Sequence, residues 1–139
     1  MAESKVTRIH HIGFVVENLD NTLRVWGALF GVKPEIKENP ELQVRFGSMV
    51  IGGVKFVFNE STAQGSRWDA FLQEHGEGVE HIAFEVTDID GLCQTARNLQ
   101  LKMRFAEHKP MYDTVSNFIE KDRLHGTTIE LMEQVKVGA

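Results

Sequence analysis

The stretch of sequence that decides the fold occurs twice. Residues His10–Asp20 read HHIGFVVENLD, and residues Glu80–Asp90 read EHIAFEVTDID, 70 positions later. Five of the eleven aligned positions are identical, and pairs such as Gly13 and Ala83 differ little. In each copy the apolar residues first alternate and then recur every three or four positions, which is typical of a strand followed by an amphipathic helix. The sequence therefore predicts two copies of one structural module.

Each repeated strand leads into a predicted helix with a single apolar stripe. Asn18 with Asp88, or Asp20 with Asp90, are suitable residues to cap the starts of these helices. Gly31 is a natural residue to end the first helix, whereas the second helix has no glycine at its end. The stripes comprise Leu19, Leu23, Trp26 and Phe30 in the first helix, and Ile89, Leu92, Ala96 and Leu99 in the second.

The rest of each module consists of short runs with the composition of β-strands. Gly52 and Gly53 predict a hairpin turn in the first module. Predicted strands cover 44–51 and 54–59 in the first module and 114–120 and 127–133 in the second, while 32–36 and 102–106 are candidates for one more strand each. The result is a βαβββ pattern twice, in modules of about 8–60 and 79–134, joined by a connector (61–78) with a short helix at 66–75. We predict a single α+β domain spanning 1–139.

Composition excludes several classes of partner. The chain is 42% hydrophobic and 25% charged, with a net charge of −5 and both signs dispersed, so we expect no binding to nucleic acid. No apolar run approaches the roughly 20 residues of a membrane helix, and the first residues lack a signal sequence. The single cysteine, Cys93, excludes an intrachain disulfide, and we expect a cytoplasmic location. A chain of this length needs no metal to build a core, so any metal would serve chemistry.

Strand alternation places two histidines on equivalent faces. If Ile12 and Phe14 pack under the first helix, His11 points to the opposite face, and the same rule applies to His81 in the second copy. A small residue, Gly13 or Ala83, lies two positions after each histidine and leaves space for a ligand. A lone histidine in a strand is ordinarily a hydrogen-bonded structural residue, but two at equivalent repeat positions favour a shared role.

A carboxylate completes this constellation. Alternation in the last strand places Glu130 on the open face, and the ending TIELME aligns with KFVFNE at an offset of 73, so Glu130 is equivalent to Val57. A pseudo-twofold relation between the modules would bring these positions together with His11 and His81. Two imidazoles and one carboxylate suit a divalent cation such as Zn, Fe, Co, Ni or Mn. The alternative is a Glu130 exposed at the rim of the sheet.

The segments HHIGFVVENLD, HGEGVEHIAFEVTDID and TTIELME resemble the vicinal-oxygen-chelate superfamily, which includes glyoxalases, bleomycin resistance proteins and dioxygenases. The resemblance extends from about Arg8 to Gln134, and the branch it favours is methylmalonyl-CoA epimerase. It implies two βαβββ modules that form a U-shaped mixed-sheet cleft, often in a homodimer. It also implies a divalent metal (Co, Mn, Zn, Ni or Fe) on His11, His81 and Glu130.

The resemblance further implies an isomerase that removes the α-proton of a 2-substituted malonyl thioester, such as a coenzyme A ester. Glu130 is one candidate for the acid–base group. Glu85 is a second candidate because strand alternation places it on the open face. Glu41 is a third, because ENPELQV is similar to an acidic turn in some epimerases.

Two departures keep other reactions open. Val57 occupies a place where epimerases and glyoxalase I carry a metal ligand, and the loop at 122–126 differs from the epimerase pattern. Three ligands without a fourth also match the facial triad of non-haem iron dioxygenases. A glyoxalase-I-like lyase and a metal-free small-molecule-binding protein are the remaining alternatives. Other side chains considered are Lys55 and Asn59 as substitute ligands, Arg45 and Arg123 for an anionic substrate, and His108 and His125 at the mouth of the site.

Overall fold

The elements of the computed structural model follow the predicted repeat. The structure describes residues 5–135, so the ends of the predicted domain, 1–4 and 136–139, lie outside the described residues. The order of elements is βαβββ, then a helix, then βαβββ. The strands are β1 (Val6–Val15), β2 (Glu35–Asn39), β3 (Val44–Ile51), β4 (Val54–Ser61), β5 (Gly78–Val86), β6 (Lys109–Met111), β7 (Thr114–Ile119) and β8 (Thr128–Gln134). The helices are α1 (Leu19–Phe30), α2 (Arg67–His75) and α3 (Ile89–Asn98).

The chain forms two compact units, which share β1. The N-terminal unit comprises residues 11–80, and the C-terminal unit comprises, among the described residues, 5–10 together with 81–135. In the N-terminal unit the strand order is β2-β3-β4-β1, with β1 parallel to β4. In the C-terminal unit it is β5-β8-β7-β6, with β5 parallel to β8. Each unit therefore combines one parallel pair with antiparallel neighbours, and the α+β class is confirmed.

The core of each unit lies between its sheet and its helix. In the N-terminal unit Leu19 and Leu23 of α1 pack on Phe58, and Phe14 and Trp26 add an aromatic layer. The C-terminal unit has an equivalent cluster, which contains Val86, Ile89, Cys93, Ala96, Ile119 and Leu131. A third cluster lies at the end of β1, where Val15, Val44 and Trp68 are buried. Among the described residues, no helix has the length and hydropathy to cross a bilayer.

The helices α1 and α3 begin with equivalent N-cap residues. Asn18 and Asp88 are the N-caps, and their side chains accept bonds from the backbone N–H groups of Asn21 and Gly91. The capping alternative with Asp20 and Asp90 is therefore excluded.

A carboxylate from the last strand of each module also binds the first residue of its helix. The backbone N–H of Leu19 donates to Glu60 Oε2 at 2.7 Å, and that of Ile89 donates to Glu133 Oε1 at 2.7 Å. Leu19 and Ile89 are 70 positions apart, and Glu60 and Glu133 are 73 positions apart, which are the two offsets found between the modules in the sequence.

Three local predictions were wrong. The strand predicted at 32–36 is β2, three residues later, because the Val32 N–H still bonds to Gly27 at the helix end and Pro34 follows. Leu99 does not belong to the apolar stripe of α3, since it caps the helix end and is 60% exposed. The buried face of α3 instead includes Cys93, together with Ile89 and Ala96.

The strand predicted at 102–106 is replaced by an irregular segment, and β6 follows it. The side chain of Asn117, which is fully buried, binds both the N–H and the carbonyl of Phe105. It thereby occupies the backbone groups that a neighbouring strand would use, and only the bridge between Met103 and Ile119 remains.

Candidate metal centre

A buried imidazole and a buried carboxylate lie together in the C-terminal unit. The parallel register pairs Ala83 of β5 with Glu130 of β8, and His81 with Thr128. The distance from His81 Nε2 to Glu130 Oε1 is 3.5 Å, and the two residues are only 6% and 4% exposed. Ala83, the register partner of Glu130, is fully buried and has only a methyl side chain. The alternative of a Glu130 exposed at the rim of the sheet is therefore excluded.

Local sequence explains why this pair faces away from the helix. Ile129 and Leu131, the neighbours of Glu130, pack into the core beneath α3. Because side chains alternate along a strand, Glu130 must point to the other face, as the sequence predicted. A buried carboxylate is costly in free energy unless it is paired or binds a cation. His81 lies close enough to Glu130 to serve as its partner or to bind the same cation.

The N-terminal unit contains an equivalent parallel pair of strands, β1 and β4, but it has a valine where the C-terminal unit has Glu130. Its register pairs Gly13 with Val57 and His11 with Lys55. Gly13 is 70 positions before Ala83 and Val57 is 73 positions before Glu130, so the sequence equivalence of Val57 and Glu130 is confirmed by strand register. His11 is half-buried on β1 and belongs to this unit. Its coordination to a metal stays a prediction.

The proposed substitutes for Val57 have other positions. Asn59 is buried and its Nδ2 donates to the Phe14 carbonyl at 3.0 Å, so its amide supports the backbone of β1. Lys55 is exposed. The register shift that either residue would need to replace Val57 is absent.

The other two candidate acids differ in their surroundings. Glu85, on β5, is ion-paired with Arg8, whose Nη2 lies 2.9 Å from Glu85 Oε2. Glu41 is exposed in the turn between β2 and β3, where Asn39 Oδ1 accepts from the Leu42 N–H. Their catalytic roles stay predictions.

The remaining polar candidates bind structural partners. Arg45 Nη2 lies 2.8 Å from Asp20 Oδ1, and this bond holds the pKa of Asp20 below its usual range. Arg123 donates to the backbone carbonyls of Leu99 and Gln100. His108 bonds to Asp90 at 2.6 Å and to the buried Asn117, while His125 is exposed with φ of 59°.

Sequence reasoning missed three side chains beside the buried pair. Phe118 is opposite Glu130 in the register, and its ring meets the His81 ring edge-on, 6.5 Å between centroids. The guanidinium of Arg104 lies 4.4 Å from the centre of the Phe118 ring and bonds to Glu120. Ser116, opposite Met132, is fully buried, and its hydroxyl has no hydrogen-bond partner among the described residues. The alternation of β7 could have placed Ser116 and Phe118 on this face.

The overall structure is similar to solved methylmalonyl-CoA epimerases. That of Mycobacterium tuberculosis has a TM-score of 0.81 at 22% identity, covering 98% of this chain and 93% of its own. A variant of the Streptomyces coelicolor enzyme, in complex with 2-nitronate-propionyl-CoA, has a TM-score of 0.79 at 27% identity, covering 94% and 99%. An epimerase in complex with methylmalonyl-CoA and NH4+ also has a TM-score of 0.79 at 27% identity, covering 96% and 99%.

Sequence comparison identifies the family. No curated protein matches the chain significantly. A family model does match residues 10–118, more than three quarters of the chain, and this span contains both repeated strands and both module helices. The chain belongs to the Glyoxalase/Bleomycin resistance protein/Dioxygenase superfamily.

Proposed function

We propose that this protein is a metal-dependent epimerase that moves the α-proton of a 2-substituted malonyl thioester, of the kind carried by coenzyme A. The observation that carries the proposal is the buried pair of His81 and Glu130, 3.5 Å apart on the face away from the helix. The similarity to epimerases solved with coenzyme A thioesters supports the substrate class.

The residues fit a divalent cation. A buried imidazole nitrogen and a buried carboxylate oxygen are first-choice donors for Zn, Fe, Co, Ni or Mn. His11, at the position equivalent to His81, would be the third ligand. A bound cation would stabilise negative charge that develops on neighbouring oxygens of the substrate. The buried hydroxyl of Ser116 is a further donor for a ligand oxygen on the same face as Glu130.

Proton transfer requires one group on each side of the reacting carbon. Glu130 and Glu41 are the pair we favour. Glu130 is buried next to His81, and no described side chain pairs with Glu41, so its carboxylate is available to accept a proton. Glu85 is the weaker candidate, because proton transfer there would require its ion pair with Arg8 to break.

Metal analysis of the purified protein tests the site. We expect about one divalent ion per chain, and loss of most of it in His81→Ala and Glu130→Gln. His10→Ala, one residue from His11 on the opposite side of the strand, is the matched control and should keep the metal. A full metal load in His81→Ala would show that this ligand is misassigned.

Deuterium exchange tests the reaction. The metal-loaded protein should incorporate solvent deuterium at the α-carbon of methylmalonyl-CoA. Glu41→Gln should lower the exchange rate by about 10²–10⁴-fold while leaving the metal load unchanged. Glu85→Gln is expected to keep most of the rate. Exchange at the uncatalysed rate in the metal-loaded wild type would refute the epimerase assignment.

One observation favours a second candidate function. Val57 occupies the position equivalent to Glu130 and cannot bind a metal, so the donor set is limited to two histidines and one carboxylate. That set is the facial triad of iron(II) oxygenases. Oxygen consumption by the iron(II)-loaded protein with a catechol, without deuterium exchange at the thioester, would favour a dioxygenase.

A further inference from the structure

The hydroxyl of Ser116 is buried and unpaired. Ser116 lies in the middle of β7, is fully buried, and its Oγ has no hydrogen-bond partner among the described residues. Thr114, on the same face of the strand, is also buried, but its hydroxyl donates to the Met111 carbonyl at 2.8 Å. An unpaired buried hydroxyl costs free energy, so Ser116 is better explained by a ligand than by packing.

Strand register places Ser116 on the face that carries Glu130. Ser116 is opposite Met132 of β8, and Phe118 is opposite Glu130. Directly opposed side chains point to the same face, and alternation then puts Ser116, Met132 and Glu130 on one face of the sheet. Diagonal neighbours on adjacent strands, such as Ser116 and Glu130, are about 7–8 Å apart. A small ligand bound at Glu130 can therefore extend to the Ser116 hydroxyl.

The strand on the other side of Ser116 supplies a cation. Lys109 of β6 is the register partner of Ser116, so its side chain leaves the sheet on the same face. Its Nζ lies 5.1 Å from the centre of the Phe105 ring, and no described acid forms an ion pair with it. Glu85, on β5, lies two strands from Ser116 and is paired with Arg8. The positive charge of Lys109 is therefore available to a ligand.

We propose that Ser116 and Lys109 form a subsite for a carboxylate on the 2-substituent of the substrate, a few atoms from the group bound at Glu130. A hydroxyl and an ammonium group from paired positions can both donate hydrogen bonds to one carboxylate. Met132 and Lys109, on either side of Ser116, are unbranched and flexible, so they can move to admit the group. The subsite rests on the proposed function and narrows its substrate class to acyl groups with a second carboxylate.

Two small probes that differ in one group test the subsite. Ethane-1,1,2-tricarboxylate is malonate with a carboxymethyl substituent, and 2-isobutylmalonate carries an apolar substituent of the same shape. Titration calorimetry uses the full chain after incubation with Zn²⁺ and removal of the excess. The wild type should bind the tricarboxylate about tenfold or more tightly than 2-isobutylmalonate, because only the tricarboxylate accepts bonds from Ser116 and Lys109. Neither probe contains phosphate, so the comparison is independent of the coenzyme A part.

Variants assign this preference to the two side chains. Ser116→Ala and Lys109→Met should each reduce the ratio of the two affinities by about fivefold or more and leave the affinity for 2-isobutylmalonate unchanged. Lys109→Arg keeps the charge and should keep most of the preference. Lys102→Met, at an exposed lysine of the same unit, is the matched control and should keep the wild-type ratio. Ser116→Ala should unfold at or above the wild-type Tm, because the hydroxyl it removes is unpaired.

Deuterium exchange at methylmalonyl-CoA, measured in parallel, separates the subsite from the proposed reaction. Exchange without a preference between the probes keeps the epimerase and overturns the subsite. A preference that Ser116→Ala and Lys109→Met remove, without exchange, supports the subsite and refutes the reaction. The subsite is also overturned if neither probe binds or if the preference survives in both variants. Weaker binding of coenzyme A by Lys109→Met, with an unchanged probe ratio, would assign Lys109 to a phosphate and overturn it as well.

Discussion

The carboxylate of Glu133 should be a major source of stability for the C-terminal unit. It accepts the backbone N–H of Ile89 at 2.7 Å, and Ile89 is 3% exposed at the first turn of α3. The N–H groups of the first helical turn have no partner within the helix, so a buried one must be satisfied from outside. In Glu133→Ala this amide loses its acceptor in a place with little access to water.

The expected loss of stability in Glu133→Ala follows from the type of hydrogen bond that is removed. A hydrogen bond to a charged group contributes about 1.5–3 kcal/mol, and leaving the buried partner unsatisfied accounts for much of the loss. The charge at the helix start adds roughly 0.3–1 kcal/mol. For a chain of this length we expect Glu133→Ala to lower Tm by roughly 5–15 °C. Glu133→Gln keeps an acceptor oxygen and should show a smaller loss.

Thermal and urea unfolding of the variants provide the assay. Glu60→Ala is the parallel test, because Glu60 binds the N–H of Leu19 at the same distance in the other module. Glu107→Ala, exposed in an irregular segment, is the neutral control. If Glu133→Ala unfolds within about 0.5 kcal/mol of the wild type, the carboxylate does not support the helix and the reasoning fails.

Three further perturbations test the packing and electrostatics. Gly47→Ala should destabilise the protein by about 1–3 kcal/mol in urea unfolding, since the added Cβ would lie 2.6 Å from a methyl of the buried Leu23; wild-type stability would show that Leu23 moves aside freely. The pKa of Asp88 is held low by Lys5 and by the Gly91 N–H. The ionised carboxylate therefore contributes to folding stability above about pH 4, and this contribution is lost as the pH falls further. Asp88→Asn, which can still cap α3 but carries no charge, should therefore lower stability at pH 7 and flatten the acid limb of stability against pH, and an unaltered acid limb would contradict this. Burial raises the pKa of the Cys93 thiol, so Cys93 should react with a thiol reagent in urea but hardly at all in the native protein, and rapid native labelling would disagree with its burial.

The sequence was informative wherever one strand or helix alone determines the structure. Alternation in TIELME was sufficient to place Glu130 on the face opposite Leu131. The offset of 73 predicted the equivalence of Val57 and Glu130 without any coordinates. These inferences succeed because side chains alternate along a strand with a fixed period of two, so the order of apolar and polar residues shows which face each side chain occupies.

The sequence was uninformative where a side chain replaces backbone pairing. Nothing in the run at 102–106 distinguishes it from a strand, because the deciding group is the Asn117 amide, twelve residues after Phe105. The position of Arg104 over the Phe118 ring depends on the same irregular segment. Long-range side-chain contacts of this kind have no periodic signal, so the polar surroundings of His81 were only partly predictable.

Comparison of the two modules separates what the fold requires from what chemistry requires. The helix-start carboxylates, Glu60 and Glu133, are present in both modules and make the same bond. The position three residues earlier in the last strand differs, since one module has Val57 and the other has Glu130. A buried carboxylate costs free energy that a valine avoids, and the Val57 module shows that the strand forms without it. Folding alone therefore does not require an acid at position 130. Binding of a ligand beside His81 would require one.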